Sequence, residues 1–309
     1  MPLAPRCPKY PVAPVGKVER FTAASSLSLE RSPFKTFYRL RRLEEFSKGL
    51  FSSPKEASPV ESSKPAIKDY DYPITSFLIN EKNDLSLSGL IALIGEVAWI
   101  HVADLGFGYE YLEQRGRSWI LLKQRVQMQA WPRWGETLTL RTWLRPNAKV
   151  VVEREFEFLL NSQVIGRASS FYISMNLKTR KPEILPFPSD QALFFAKPDP
   201  CPDPQPIRLP FEPQNLSMFK ARPSECDMHQ HVNNAKIAAW IADTIPGIIS
   251  KNHSLREYQV EFLSEVKLGD TVDVLGKSWS TQSFTDPIAL EGKNRRTDQR
   301  AFLAQLQYA

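Results

Sequence analysis

Ten consecutive residues, Glu225–Asn234, concentrate the side chains of this sequence that can carry out chemistry. They include two acids, two of the four histidines of the chain and two asparagines. If the run from Asp227 to His231 is extended, the side chains of Asp227, His229 and His231 project to the same side, because side chains alternate along a strand. A carboxylate and two imidazoles in one row can accept and donate protons in a reaction.

An apolar stretch with helical spacing follows this run at once. Asn233 or Asn234 can cap that helix, because an asparagine oxygen accepts from the free amides of the first turn. The amides of Val232, Asn233 and Asn234 would then lie at a helix N-terminus, which favours developing negative charge. A proton-transferring row beside such a terminus suits an acyl-transfer site.

The same atom types also suit zinc, since Asp, His and Cys side chains are its usual ligands. Cys226, however, points away from Asp227, His229 and His231 in an extended run, and no further His/Cys cluster lies nearby in the sequence. We therefore predict no metal at this site.

Composition describes a soluble globular protein, with 42% hydrophobic and 24% charged residues among 309. No apolar run approaches the ~20 residues that cross a bilayer, so we expect no membrane span. The net charge of +6 comes from residues 1–65, with 12 Lys/Arg and 6 Asp/Glu, and the remainder is neutral. This distribution, without a reading motif, argues against nucleic acid as a partner. Three scattered cysteines argue against a disulfide framework.

The chain divides by composition into four parts. Residues 1–65 form a basic Pro/Ser-rich extension, either a targeting peptide, a disordered tail or the product of a mis-called start codon. Residues 66–185 and 214–309 form two halves, separated by a Pro-rich linker at 186–213. We expect a cytoplasmic protein, or a protein of the plastid stroma if residues 1–65 are a transit peptide.

Each half reads as a strand, a helix and then antiparallel strands, which predicts a duplicated α+β unit. The helices are expected at Leu90–Ala103, capped by Ser86 or Ser88, and at Asn234–Ile249, shortened or kinked by Pro246. His101 on the first helix is expected to be a hydrogen-bonded core residue. Strands are expected at Tyr72–Ile79, Trp119–Trp131, Thr137–Leu144, Lys149–Leu160, Val164–Leu177, Leu216–Ala221, Tyr258–Glu265, Thr271–Ser280, Ile288–Lys293 and Phe302–Tyr308.

Several blocks in a fixed order make residues 70–309 resemble the acyl-(acyl-carrier-protein) thioesterases, the tandem hotdog family of plants and bacteria. The resemblance implies an α+β fold, a double hotdog in which two antiparallel sheets each wrap a long central helix. It also implies a pseudo-dimer within one chain, and a homodimer of chains is compatible with it. The blocks are Glu96-Val97-Ala98-Trp99, Leu105-Gly106-Phe107-Gly108, Trp131-Pro132-Arg133-Trp134-Gly135-Glu136, Leu177-Lys178-Thr179-Arg180, Asp227-Met228-His229-Gln230-His231-Val232-Asn233-Asn234 and Val260-Glu261-Phe262-Leu263-Ser264-Glu265.

The family's catalytic Asp, His and distant Glu correspond to Asp227, His231 and Glu265, so the resemblance implies these roles. The family's Asn position is occupied by His229. Some members carry a Cys directly after the Glu, but Val266 stands here, so a cysteine nucleophile at that position is excluded. The first half is expected to supply the slot for the acyl chain, with Leu90, Ile94, Val97 and Trp99 as candidate lining residues.

The implied activity is hydrolysis of fatty acyl-(acyl-carrier-protein) thioesters, with water as acceptor and no cofactor. Two alternatives stay open, an acyl-CoA thioesterase of the same fold and a non-catalytic acyl-binding or regulatory hotdog protein. An acidic carrier protein requires a basic docking patch. Its candidate residues are Arg145, Lys149, Lys178, Arg180 and Lys181.

Overall fold

The computed structural model describes residues 66–146, 150–185, 193–279 and 286–309. Residues 1–65 and the expected start of the linker at 186–192 lie outside the described residues. The helices are α1 (Leu87–Asp104), α2 (Tyr109–Glu113), α3 (Asn234–Thr244) and α4 (Gly247–Asn252). The strands are β1 (Ile67–Pro73), β2 (Arg117–Met128), β3 (Thr137–Leu144), β4 (Val151–Leu160), β5 (Gln163–Asn176), β6 (Pro182–Glu183), β7 (Gln214–Lys220), β8 (Leu255–Phe262), β9 (Thr271–Gly276), β10 (Ile288–Asn294) and β11 (Gln299–Tyr308).

The strand order confirms the predicted duplication. The first half runs β1-β3-β4-β5-β2 and the second half runs β7-β9-β10-β11-β8, so equivalent strands occupy equivalent places. Each half has its long helix between its first and second strands, and α1 contacts α3. The two sheets are continuous, because β2 pairs antiparallel with β8 from Lys123 opposite Glu261 to Gln127 opposite Glu257. One long sheet therefore wraps both helices.

The helix ends follow from local chemistry. Ser86 caps α1 by accepting from the amide of Gly89 at 3.0 Å, and Gly106, with φ of 87°, follows its last turn. Asn233 caps α3 by accepting from the amide of Ala235 at 2.8 Å. The predicted break at Pro246 is confirmed, because α3 ends before it and α4 begins after it.

Most strand boundaries shift by one to three residues, and β8, expected at Tyr258–Glu265, spans Leu255–Phe262, so Glu265 lies in the loop after it. Two other strands differ more. The first strand was expected from Tyr72 to Ile79 but spans Ile67–Pro73, because its polar residues alternate as an edge strand rather than an apolar one. Asp69 pairs with Arg141 of β3 at 2.8 Å, which fixes that edge. The ninth strand ends at Gly276 rather than continuing to residue 280.

The expectation that no segment is long and apolar enough to cross a membrane needs one correction. By length and composition α1 could cross a bilayer, although the sequence was expected to hold no such segment. In the structure 56% of this helix is buried, and Leu90, Ile94 and Val97 lie in the core with the sheet residues Phe156 and Phe158. The central helix of a globular protein has the same composition.

The described part of the expected linker, residues 193–213, packs against the sheet instead of acting as an exposed spacer. Cys201 is fully buried, and its amide donates to the Glu155 carboxylate at 3.0 Å. The amide of Ile207 donates to Glu261 at 3.1 Å. Glu155 and Glu261 alternate with residues of the helix-facing side, so this segment covers the opposite face of the sheet.

Candidate active site

The run from Asp227 to His231 is a tight turn, and the prediction that it is extended is wrong. The amide of Asp227 donates to the His231 carbonyl at 2.8 Å, and the amide of Gln230 donates back to the Asp227 carbonyl at 2.9 Å. Gln230 adopts φ of 63°, the left-handed conformation that closes the turn. His229 therefore lies exposed at the tip, and His231 returns to the body of the protein.

The Asp227 carboxylate stabilises this turn. Its Oδ1 accepts from the amide of His229 at 2.9 Å and from the amide of His231 at 3.4 Å. Aspartate often forms such local turns, because its short side chain reaches backbone amides two residues on. This alternative to an extended backbone was missed in the sequence, although an Asp in a polar loop signals it.

His231 and Glu265 are brought together by backbone pairing. The amide of Val232 donates to the Val266 carbonyl at 2.8 Å, and His231 forms a bridge with Lys267. His231 Nε2 then lies 3.3 Å from Glu265 Oε2. The site predicted from three separated residues thus assembles in one place, with Asp227 acting on the backbone of the turn.

The His231 ring is neutral at ordinary pH. Burial lowers its pKa below the usual 6.5, and nearby Lys267 and Arg180 lower it further, against opposite contributions from Glu265 and Asp227. A neutral imidazole whose Nε2 carries the proton can donate to the Glu265 carboxylate. The pair is therefore a hydrogen-bonded histidine and carboxylate.

Arg180 completes this cluster, although the sequence placed it in a docking patch. Its Nη2 pairs with Glu265 Oε1, which leaves His231 as the partner of the other carboxylate oxygen. Arg180 lies in the turn between β5 and β6 with φ of 56°. A contact between a turn of the first half and the loop after β8 in the second half has no local sequence signal.

The backbone amides expected to face a developing oxyanion are mostly occupied. Val232 donates to Val266 and Asn233 donates to the Glu225 carbonyl at 2.9 Å. The amide of Ala235 is taken by the Asn233 cap. Within the described chain the amide of Asn234 has no acceptor. Of the three amides predicted to face an oxyanion, Asn234 is therefore the one that is free to do so. Asn234 lines the cavity that adjoins the turn.

A cavity of about 660 Å³ opens between the first half and this turn, a size typical of small-molecule sites. Leu90, Ile94 and Val97 do not line it, because they face the core on the other side of α1. Its walls include Ile91, Ala92, Gly95, Ala98, Trp99, Val102, Tyr109, Leu112, Gln124, Leu144, Val152, Arg154, Tyr172, Asp227, Met228, His229, Asn233, Asn234 and Ala235. The helix is apolar on both faces, so its periodicity alone did not indicate which one meets the cavity.

Aromatic rings form the exposed end of the cavity. Trp99 stacks on Tyr109 with ring centroids 5.8 Å apart, and the His229 ring lies 6.3 Å from Tyr109. Trp99 is 42% exposed, so this end is open to solvent. Asp227 and His229 thus contact the cavity directly, whereas the His231–Glu265 pair lies outside its lining.

Fewer residues than expected are available for the basic patch predicted to dock a carrier protein. Arg145 is occupied by the carboxylates of Glu153 and Asp203, at 2.9 and 2.6 Å, and is not free to receive a carrier. Lys149 lies outside the described residues, and Lys178 and Lys181 are exposed. The described chain holds no cluster of three or more His, Cys, Asp or Glu side chains placed to bind a metal.

Solved structures define the class of fold. An acyl-ACP thioesterase from Bacteroides thetaiotaomicron matches with a TM-score of 0.72 and 21% identity, over 79% of this chain and 98% of that chain. The 12:0-ACP thioesterase from Umbellularia californica matches with a TM-score of 0.65 and 19% identity, over 80% and 99%. Together with the repeated strand order, these matches confirm the tandem hotdog fold.

Family models give the narrower assignment. The acyl-ACP thioesterase N-terminal domain matches residues 67–186, and the acyl-ACP thioesterase C-terminal domain matches residues 210–304. The chain therefore belongs to the acyl-ACP thioesterase family.

Sequence relatives agree with this assignment. Oleoyl-acyl carrier protein thioesterase 2, chloroplastic, of Arabidopsis thaliana is 24% identical over 66% of this chain and 61% of that protein. Oleoyl-acyl carrier protein thioesterase 1, chloroplastic, of the same plant is 23% identical over 74% and 68%. This chain thus spans about six tenths of the length of the first of these relatives.

Proposed function

We propose that this protein hydrolyses fatty acyl-(acyl-carrier-protein) thioesters and releases the free fatty acid. The observation that carries the proposal is the position of the largely apolar cavity, which reaches the turn bearing Asp227 and His229, next to the His231–Glu265 pair. An acyl chain in the cavity would bring its thioester to that turn. Membership of the family supports the same reaction.

Glu265 is proposed as the general base. A carboxylate has about four lone-pair sites, so the contacts with Arg180 and His231 leave room for a water molecule. The water oxygen attacks the thioester carbon while Glu265 takes its proton. The tetrahedral intermediate then expels the thiol, which leaves with that proton. The amide of Asn234 and the His229 ring are the groups that can donate to the oxyanion.

Each remaining site residue has a distinct part in this proposal. His231 is neutral and orients the Glu265 carboxylate through its Nε2–H. Asp227 fixes the turn so that His229 faces the cavity. His229 stands in for the family's Asn, because a neutral imidazole also offers one donor and one acceptor.

The two halves contribute differently, with residues 66–185 supplying most of the cavity wall and residues 214–309 supplying the reactive groups. The boundaries proposed from the sequence are kept, with residues 186–213 as the connection. An internal pseudo-dimer is complete within one chain, and a homodimer of chains stays a prediction. The mass of the protein in solution, measured by light scattering, tests that prediction.

The carrier preference rests on local charge. Exposed Lys178 and Lys181 flank Arg180, and exposed Lys267 lies near His231, so cations surround the reactive carboxylate. Such a surface suits an acidic carrier protein and the phosphate of its prosthetic arm. Lys178→Glu with Lys181→Glu is expected to weaken hydrolysis of acyl carrier substrates, most clearly at low salt.

The deciding experiment compares hydrolysis of one acyl group on acyl carrier protein and on coenzyme A. A higher kcat/KM on the carrier protein is expected. A higher value on coenzyme A would establish the alternative acyl-CoA thioesterase. Binding of both without turnover would establish a non-catalytic acyl-binding protein.

The compartment is tested separately. The Arabidopsis relatives carry chloroplastic names, which favours the plastid alternative over the expected cytoplasm. Fusion of residues 1–65 to a fluorescent protein in plant cells distinguishes the two. Plastid fluorescence would support a transit peptide, and diffuse fluorescence would support the cytoplasm.

A further inference from the structure

Arg154 is a buried cation in the wall of the cavity, and no carboxylate of the described residues pairs with it. It lies on β4 and is 3% exposed. Its Nη1 lies 2.7 Å from His101 Nδ1 and 3.1 Å from Thr142 Oγ1. A guanidinium has five N–H donors, so the three on Nε and Nη2 have no acceptor among the described residues. Buried Lys123, in contrast, pairs with Glu261 at 3.1 Å.

The positive charge stays on Arg154 rather than passing to His101. Burial and the neighbouring guanidinium lower the pKa of His101 to about 3, so its ring is neutral and accepts through Nδ1. Burial lowers the pKa of Arg154 to about 10, so it stays protonated at neutral pH. A buried cation with only neutral partners is costly, and its field favours a ligand that brings an oxygen acceptor.

A second polar group lies beside Arg154 in the same row across the sheet. Arg154 pairs with Ser170 of β5, which in turn pairs with Gln124 of β2. Gln124 is 1% exposed and lines the cavity, and its Nε2 donates to Ser170 Oγ at 2.9 Å. Its Oε1 is buried without a partner among the described atoms. The wall therefore offers charged donors and one acceptor beside the apolar side chains of Leu144 and Val152.

Arg154 and Gln124 belong to the buried part of the cavity wall. His229 and Trp99 are exposed at the open end, where the thioester is proposed to react. Arg154, Gln124 and Leu144 are each at most 3% exposed. An acyl chain whose carbonyl lies at His229 therefore extends towards Arg154 and Gln124.

We propose that this protein acts on acyl chains that carry an oxygen substituent towards their far end, received by Arg154 and Gln124. The inference rests on the proposed thioesterase function and names its substrate class. A carboxylate would accept from the free N–H groups of Arg154, and a hydroxyl would also donate to Gln124 Oε1. A plain hydrocarbon end would exclude water from these donors without replacing its hydrogen bonds, which is unfavourable.

The test compares acyl carrier substrates of equal chain length that end in a methyl, a hydroxyl or a carboxylate group. The kcat/KM of the oxygenated chains is expected to exceed that of the methyl chain by about tenfold or more, the effect of a charge-assisted hydrogen bond. Arg154→Met should reduce this ratio about tenfold. Arg154→Lys should keep part of it, since it keeps the charge. Gln124→Leu should lower the hydroxyl ratio more than the carboxylate ratio.

Folding of these variants is followed by the melting temperature. Arg154→Met removes a buried charge but leaves the buried His101 Nδ1 without its donor, so the variant should melt close to the parent's temperature. If Arg154→Met does not fold, Arg154→Lys and Gln124→Leu carry the comparison. A parent without the preference overturns the inference, as does an unchanged ratio in the folded variants.

Failure of this inference is distinguishable from failure of the proposed function. Hydrolysis of methyl-ended chains without preference for oxygen would overturn the inference and leave the thioesterase. A parent that hydrolyses no thioester would overturn the proposed function, and binding of free dicarboxylic and monocarboxylic acids of equal length would still test the pocket. Arg154-dependent binding of monocarboxylic acids, with an unchanged substrate ratio, would mean that the product binds in reverse and would also overturn the inference.

Discussion

Gly95 offers a direct test of where the acyl chain lies. It is on α1 and lines the cavity, and a Cβ added there would meet no atom within 4 Å. The Cβ of Gly95→Leu would therefore enter open space, and the variant adds four carbon atoms on the side of α1 that lines the cavity. Replacing Gly in a helix also raises stability by up to about 1 kcal/mol. We expect a folded and stable variant with a smaller cavity.

The magnitude follows from the lost burial of the acyl chain. Four displaced methylenes at about 0.8 kcal/mol each correspond to about 3 kcal/mol. Gly95 is on the exposed face of the helix, so we expect about half of this value. The ratio of kcat/KM for long over short acyl chains should then fall about tenfold, since 1.4 kcal/mol is a factor of ten.

The assay measures hydrolysis of a long and a short acyl chain on the same carrier. Gly95→Ala is the matched control, because it gives the helix benefit with a single added methyl group. Gly89→Ala is a second control, since its Cβ would lie 2.6 Å from the Leu78 carbonyl and destabilise the helix away from the cavity. An unchanged long-to-short ratio in stable Gly95→Leu would refute the proposed path of the chain.

Three further predictions concern the core and the turn. Leu90→Ala should lower the free energy of unfolding by about 2–5 kcal/mol in chemical denaturation, with an unchanged chain-length preference, because Leu90 is buried away from the cavity; a changed preference would place it in the slot. His229→Asn should keep activity and His229→Ala should lose it, because Asn has the required donor and acceptor; full activity of His229→Ala would exclude this role. Because burial lowers the pKa of His231, activity should persist as pH falls below 6.5 and should decline only near the lowered pKa. Arg180 also lowers this pKa, so Arg180→Gln should move the decline in activity to higher pH. A decline at the same pH in Arg180→Gln would exclude an electrostatic effect of Arg180 on His231.

The sequence predicted the elements of the fold well where local chemistry decides them. Ser86 and Asn233 cap their helices as expected, and Pro246 divides the second helix as expected. The strand Thr137–Leu144 has the predicted boundaries. The duplicated order of strands was also predictable, because each half repeats the same pattern of apolar residues.

Contacts between distant segments were not predictable from local patterns. Arg180 belongs to a charged turn that is expected from its sequence to be exposed to solvent. Only the folded chain brings Arg180 to Glu265. Glu153, Glu155 and Glu157 alternate with apolar residues in the sequence, and the pattern does not show that the segment after residue 193 covers Glu155. Arg154 lies between Glu153 and Glu155 in sequence but on the opposite face of the sheet, so its burial among neutral partners was hidden.

In the turn at Asp227–His231, hydrogen bonds from a side chain to the backbone override the conformation that the alternation of residues suggested. The alternation of Asp227, His229 and His231 suggested an extended row, but the Asp227 side chain captures two backbone amides and closes a turn. Asp227 and His231 still come together, across the turn rather than along a strand. The structure thus corrects the predicted geometry of the turn, and the catalytic roles of its residues stay a prediction.

Glu265→Gln is the measurement that bears most directly on the proposed mechanism. The substitution keeps the size of the side chain and an oxygen that can accept from Arg180 or His231, but it removes the negative charge that takes the proton from water. Single-turnover hydrolysis of a long-chain acyl carrier substrate should slow by about 100-fold or more, with substrate binding retained and the melting temperature near the parent's. Near-parental hydrolysis by folded Glu265→Gln would contradict the assignment of Glu265 as the base.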